Sequence, residues 1–281
     1  MVIEISSDSR IDINHHFRVS AGPGAGKTHW LSLHVSHVLK DSESLGKMGK
    51  VACLSYTNVG ADTLMGRMYE DRSRVLSCTI HSFLYAYIVK PYLHFIATDE
   101  GFNIELLNGE DDRILSDYNT FEEIRKAVKQ YYAEQDATFT AIRAAKWKLQ
   151  EDGSLKCYAN PPKKCCKKGY ALNENAYVVY KKLAWKKGYM HYDDVLYFSY
   201  KLIQKYPFIS RTLAIQFPYV FIDEFQDTNP IQAKIIKSLG ENGAIVGVIG
   251  DYAQSIYGFL GADPNQFASF TLDGLLDYTK K

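Results

Sequence analysis

A chain of 281 residues, 46% of them hydrophobic, can bury the core of one large domain or two smaller ones. Its formal net charge of +1 excludes a polycation, so any grip on nucleic acid has to come from a local basic surface interleaved with aromatics. No run approaches the roughly 20 apolar residues of a membrane span, residues 1–8 lack the basic and apolar regions of a signal peptide, and five cysteines without paired spacing exclude a disulfide framework; the expected setting is cytoplasmic, with no membrane partner.

In chain order, the first strand is expected over 17–20, and it runs into Val19-Ser-Ala-Gly-Pro-Gly-Ala-Gly-Lys-Thr28 and a helix that starts at Lys27. This is the pattern of a phosphate cradle. Gly22, Gly24 and Gly26 let backbone N–H groups converge on phosphate oxygens, with Pro23 and Ala25 between them and His29 behind. Lys27 can reach the β- and γ-phosphates, and the Thr28 hydroxyl can ligate Mg²⁺. Ala21 stands where the strict pattern has its first glycine.

Further strands are expected over 51–55 and 75–78, with helices from about Asn58 and from His81. Between 98 and 187 the chain turns charged and Tyr-rich, with helical stretches over 121–132 and 141–149. This reads as an inserted helical subdomain, dividing the main domain into 1–97 and 188–281. A loop over 156–169 interrupts the insert and carries Cys157, Cys165 and Cys166 among lysines. Adjacent Cys165 and Cys166 with no fourth ligand are poor geometry for a tetrahedral metal, so reduced, ordinary thiols are expected. Arg143, Lys146, Lys148, Lys163, Lys164, Lys167 and Lys168 are either a nucleic-acid track or a solvated face.

The alternation resumes with a helix over 193–205, a strand over 219–222, a helix over 230–238 and a strand over 244–249. Alternating strands and helices imply a parallel sheet covered on both faces, with ligand sites at the carboxyl ends of the strands. Four apolar residues, Tyr219 to Ile222, deliver Asp223 and Glu224 to one such end. A hydrolytic phosphate site needs one acid for Mg²⁺ and a second to polarise the attacking water. Together with the cradle, this pair points to ATP hydrolysis.

Several segments then resemble the UvrD/Rep-like branch of superfamily 1 helicases, in the same order. They are Val51-Ala-Cys-Leu-Ser-Tyr-Thr-Asn58, Cys78-Thr-Ile-His-Ser-Phe83, Met190-His-Tyr-Asp-Asp-Val-Leu196, Asp223-Glu-Phe-Gln-Asp-Thr-Asn-Pro230 and the run from Ile245 to Asp263. The resemblance implies a RecA-like P-loop NTPase domain carrying a mostly helical insert. It places Gln254 near the γ-phosphate, Tyr56, Tyr257 and Phe259 against bases of single-stranded DNA, and Thr57, Asn58, His81 and Ser82 on the DNA backbone. It also implies an ATP- and Mg²⁺-dependent helicase stepping 3′ to 5′, represented by its N-terminal portion, with a second RecA-like domain or a partner subunit supplying the other wall of the cleft. The alternative is a nucleotide-dependent regulatory subunit of a repair or phage-defence complex. Three departures stand out: His191 replaces the first Asp of its motif, Leu260 replaces an Arg tied to coupling of nucleotide and DNA, and residues 1–19 contain no Gln of the kind that reads adenine.

Overall fold

A computed structural model describes residues 2–68, 72–251 and 265–280. Gln254, Tyr257, Phe259 and Leu260 lie outside the described residues. The chain divides into two compact units, one formed by 1–88 with 203–281 and the other by 89–202.

The first unit is built on β1 (Val2–Ile5), β2 (Phe17–Ala21), β3 (Val51–Ser55) and β4 (Val75–Thr79), joined after the second unit by three more strands. The hairpin strands β5 (Lys146–Leu149) and β6 (Leu155–Tyr158) belong to the second unit; β7 (Tyr219–Ile222), β8 (Ile245–Gly250) and β9 (Leu276–Lys280) return to the first. Seven strands form one sheet in the order β1-β9-β2-β8-β7-β3-β4, and every pairing is parallel. Parallel strands buried on both faces read as continuous apolar runs. β3 and β7 are buried along their whole length.

Helix α1 (Lys27–Asp41) follows β2 and α2 (Asn58–Arg67) follows β3. The core between α1 and the sheet includes Phe17, Trp30, Val35, Phe221 and Ile249. Phe17 and Gly247 are register partners in β2 and β8, and a Cβ on Gly247 would lie 2.1 Å from the Phe17 ring. The glycine is there because the ring is. The order of strands places the segments after β2 and after β7 on either side of β8, so the glycine-rich loop and the acidic pair share one end of the sheet.

The strands and helices expected in this unit are all present, within one to three residues at their ends. Strands β1 and β9 were not expected. In the second unit, two expected helices end earlier than their sequence suggests. The helix expected over 121–132 is Tyr118–Ala127, closed by Lys129 in a left-handed conformation at φ 56°. The stretch 141–149 is helical only to Arg143 and then becomes β5, paired antiparallel with β6. Two hydrogen bonds hold this strand in place: the Trp147 N–H is held by the Asp193 carboxylate at 2.5 Å, and its indole N–H by Asp194 at 3.0 Å. Among the described residues no helix is long and apolar enough to cross a membrane.

Candidate nucleotide site

The loop after β2 turns at Gly24 (φ 70°) and Gly26 (φ 73°), left-handed values that a side chain disfavours. Gly26 is the N-cap of α1, and its carbonyl accepts the Trp30 N–H at 3.0 Å. The Gly22 carbonyl accepts the Ala25 N–H at 3.3 Å, which tightens the turn around an exposed Pro23. His29 lies exposed on the first turn of α1. Ala21 needs no glycine because it is still in β2, with extended backbone and Lys280 as its register partner.

Lys27 folds back over this loop. Its Nζ donates to the Ala21 carbonyl at 3.4 Å and lies 3.6 Å from Glu224 Oε2. The Thr28 hydroxyl donates to Asp223 Oδ2 at 3.1 Å. Asp223 follows β7 directly, its N–H held by the Leu54 carbonyl of β3 at 2.9 Å. Burial, reinforced by the neighbouring Glu224 charge, pushes the Asp223 carboxyl up to about 6 against the opposing pull of the Thr28 hydroxyl. A cation at this position would reverse that balance.

Glu224 has φ 54° and ψ 44°, unusual for a residue with a side chain. The turn lets its N–H donate to Asp223 Oδ1 at 3.0 Å while Oε2 accepts from Gln226 Nε2 at 2.7 Å. Gln226 Oε1 in turn accepts the Asp251 N–H at 3.0 Å. Gly250 leaves room for this link, since a Cβ there would lie 2.6 Å from Gln226 Oε1. Gln226 was not singled out from sequence; the signal was an amide two residues beyond the acid it steadies. Lys280 was missed for want of any signal. It is 3% exposed on β9, and its Nζ donates to Ser7 Oγ at 3.0 Å and to the Ala25 carbonyl.

Of the residues expected to meet DNA, Tyr56, Thr57, Asn58, His81 and Ser82 follow β3 and β4 at the same sheet end, where Ser55 and Thr79 close the two strands in register. Thr57 caps α2 by accepting the Gly60 N–H at 3.2 Å and is exposed, as is Asn58. Tyr56 is half-buried. Ser82 is exposed and bonded to Thr79, whereas His81 is buried at 6% exposure.

A sequence profile described as the UvrD/REP helicase N-terminal domain matches residues 7–273. This chain belongs to that family. The UvrD/REP helicase N-terminal domain seen here is an α/β fold of the RecA-like P-loop kind, with its parallel sheet flanked by helices. It is 26% identical over 278 residues to the ATP-dependent DNA helicase srs2 of Schizosaccharomyces pombe, covering 92% of this chain and 30% of that protein. It is 24% identical over 262 residues to the ATP-dependent DNA helicase PcrA of Leuconostoc citreum, covering 91% of this chain and 33% of that protein. A shorter stretch of 97 residues is 36% identical to DNA helicase II of Haemophilus influenzae, covering 34% of this chain and 13% of that protein. The UvrD/REP domain described here thus spans about a third of the length of the first two relatives.

Proposed function

We propose that this chain supplies the nucleotide-hydrolysing unit of an ATP-driven DNA helicase that moves along single-stranded DNA, 3′ to 5′ as the family resemblance implies. One observation carries the reading: Lys27 and Thr28 at the start of α1 meet Glu224 and Asp223 at the end of β7, at 3.6 Å and 3.1 Å. The Thr28 hydroxyl and the Asp223 carboxylate are hard oxygen donors on adjoining elements, a set that suits Mg²⁺. Bound there, Mg²⁺ would neutralise charge on the phosphate oxygens.

The chain's own residues divide the remaining work. Gly22, Gly24, Gly26 and the start of α1 present N–H groups to phosphate, while Pro23, Ala25 and His29 shape the rim of the cradle. Lys27 exchanges Glu224 for the β- and γ-phosphates. That exchange frees Glu224 to orient and deprotonate water, with Gln226 holding its Oε2 in place. Gln254 stands beside the γ-phosphate in this reading. Tyr56, Thr57, Asn58, His81 and Ser82, with Tyr257 and Phe259, form the contact to single-stranded DNA, His81 acting from its buried position. A second RecA-like domain or a partner subunit provides the other wall of the cleft.

Titration calorimetry with Mg²⁺-ATP tests the assignment. Lys27→Ala removes a charged donor, for which about 1.5–3 kcal/mol, roughly ten- to 150-fold in affinity, is the usual loss. Glu224→Gln should keep that affinity while DNA-stimulated turnover of the complete assembly falls about 10²–10⁴-fold. Unchanged binding in Lys27→Ala would remove the cradle assignment. Binding in the parent without turnover in any assembly would instead favour the nucleotide-dependent regulatory role.

A further inference from the structure

The lysine- and cysteine-rich segment after β6 has no part in the phosphate site, yet it has a defined fold. Lys164 and Ala171 form an antiparallel bridge, the Cys165 N–H donates to the Tyr170 carbonyl at 2.8 Å, and the Leu172 N–H to the Lys163 carbonyl at 2.9 Å. Cys165 and Cys166 are buried at 0% and 6% exposure, and Cys165 Sγ donates to the Tyr170 carbonyl at 3.3 Å. The Cys165 carbonyl accepts the Glu134 N–H at 2.8 Å, and the Glu134 carboxylate accepts the Lys167 backbone N–H at 3.1 Å. The thiols are anchors. With them turned inward, Lys163, Lys164, Lys167 and Lys168 are all exposed.

Among the described residues none of these four ammonium groups is in an ion pair. Beside them stand two half-exposed aromatics brought together from different segments, Tyr132 at 49% and Tyr170 at 55%, with ring centroids 5.1 Å apart. Gln130 fixes their spacing, its Nε2 donating to the Tyr132 hydroxyl and to the Ala171 carbonyl, each at 3.0 Å. A solvated charged face would account for the lysines but not for a pair of large rings held in water next to them. An unpaired nucleic-acid strand asks for both features, since its phosphates seek cations and its bases seek flat apolar surface.

We infer that this loop is a single-strand contact carried by the 89–202 unit itself, with phosphates on Lys163, Lys164, Lys167 and Lys168 and a base against Tyr132 and Tyr170. It goes beyond the nucleotide site and rests on the reading that the chain engages single-stranded DNA. The test is fluorescence anisotropy of labelled oligothymidine with the full chain over a range of salt. Substituting the four lysines by alanine should lower the salt slope by about 3, as loss of four phosphate contacts on a single strand requires. Tyr132→Ala with Tyr170→Ala should weaken binding about tenfold, and the corresponding phenylalanine pair, which keeps both rings, should restore it.

If the parent fails to bind oligothymidine, the single-strand reading and this inference fall together. If the parent binds and the lysine variant keeps both slope and affinity, the reading stands and the inference is overturned. Loss in the lysine variant with none in the tyrosine pair, or equal losses on blunt duplex DNA, would mark general attraction for a polyanion and would also overturn it.

Discussion

His34 shows how one buried side chain ties the stability of the sheet unit to pH. On α1 its ring stacks on Trp30 at 5.2 Å with 7° between planes and meets Phe17 edge-on at 5.0 Å. Both ring nitrogens are buried without a hydrogen-bond partner among the described residues. Burial, with a smaller push from His37, lowers the His34 pKa to about 3. The native state therefore holds a neutral ring while the unfolded chain takes up a proton near the ordinary value of about 6.5. Stability from this group is fully present above that value and is lost as pH falls toward 3. At pH 5 the loss amounts to about 2 kcal/mol, from roughly 1.5 units at 1.36 kcal/mol each. His34→Phe keeps an aromatic ring in the stack and removes the titration, so its urea-unfolding free energy should change less between pH 7 and pH 5 than the parent's. Identical slopes in the two proteins would exclude His34 as the source.

At the level of elements, the start of the helix Tyr192–Lys205 organises the second unit through adjacent acids. Asp194 is fully buried and accepts from Trp147 Nε1 at 3.0 Å, Trp185 Nε1 at 3.0 Å and Lys181 Nζ at 2.7 Å, with His191 at 3.1 Å. Despite burial, Lys181 and His191 hold its carboxyl well below the usual range. Removing one member of a buried pair leaves the other uncompensated, so Asp194→Ala should cost about 3–5 kcal/mol. Limited proteolysis should then cut within 89–202 while the sheet unit stays intact; an unchanged cleavage pattern would refute the clamp. The motif around Asp194 was legible in sequence, but its role as a clamp on β5 was not. The helix formers over 141–149 predict a helix through Trp147, whereas the acceptors that hold it in β5 lie more than forty positions away. The sheet was easier to read. Four of its strands, β2, β3, β7 and β8, lead into glycine, Thr-Asn or acidic signals, whereas β1 and β9 are partly exposed strands with weak patterning. The same contrast holds for the site: Lys27, Thr28, Asp223 and Glu224 sit in local motifs, while Lys280 reaches Ala25 through sheet pairing alone.

Over the whole molecule, the proposed reading draws the cradle, the cation ligands and the base from one sheet, while three guanidinium groups of the same unit are tied up within the fold. The guanidinium of Arg18 is held by Asp277 at 2.6 Å and by backbone carbonyls of Phe267, Ala268 and Phe270. Arg72 is bonded to the Met68 carbonyl, and Arg74 to the carbonyls of Leu45, Gly46 and Gly49. In related phosphoryl-transfer sites an arginine contributes roughly 10³–10⁵ in rate. A polypeptide of these 281 residues, purified by itself, should accordingly bind Mg²⁺-ATP, hydrolyse it slowly and leave duplex DNA paired. Strand displacement on a 3′-tailed duplex is the measurement, run beside calorimetry on the same preparation so that a failure to bind nucleotide is told apart from a failure to unwind. ATP-dependent unwinding that persists in the parent and disappears with Lys27→Ala would overturn the expectation, because it would require these residues to complete the cleft by pairing with one another.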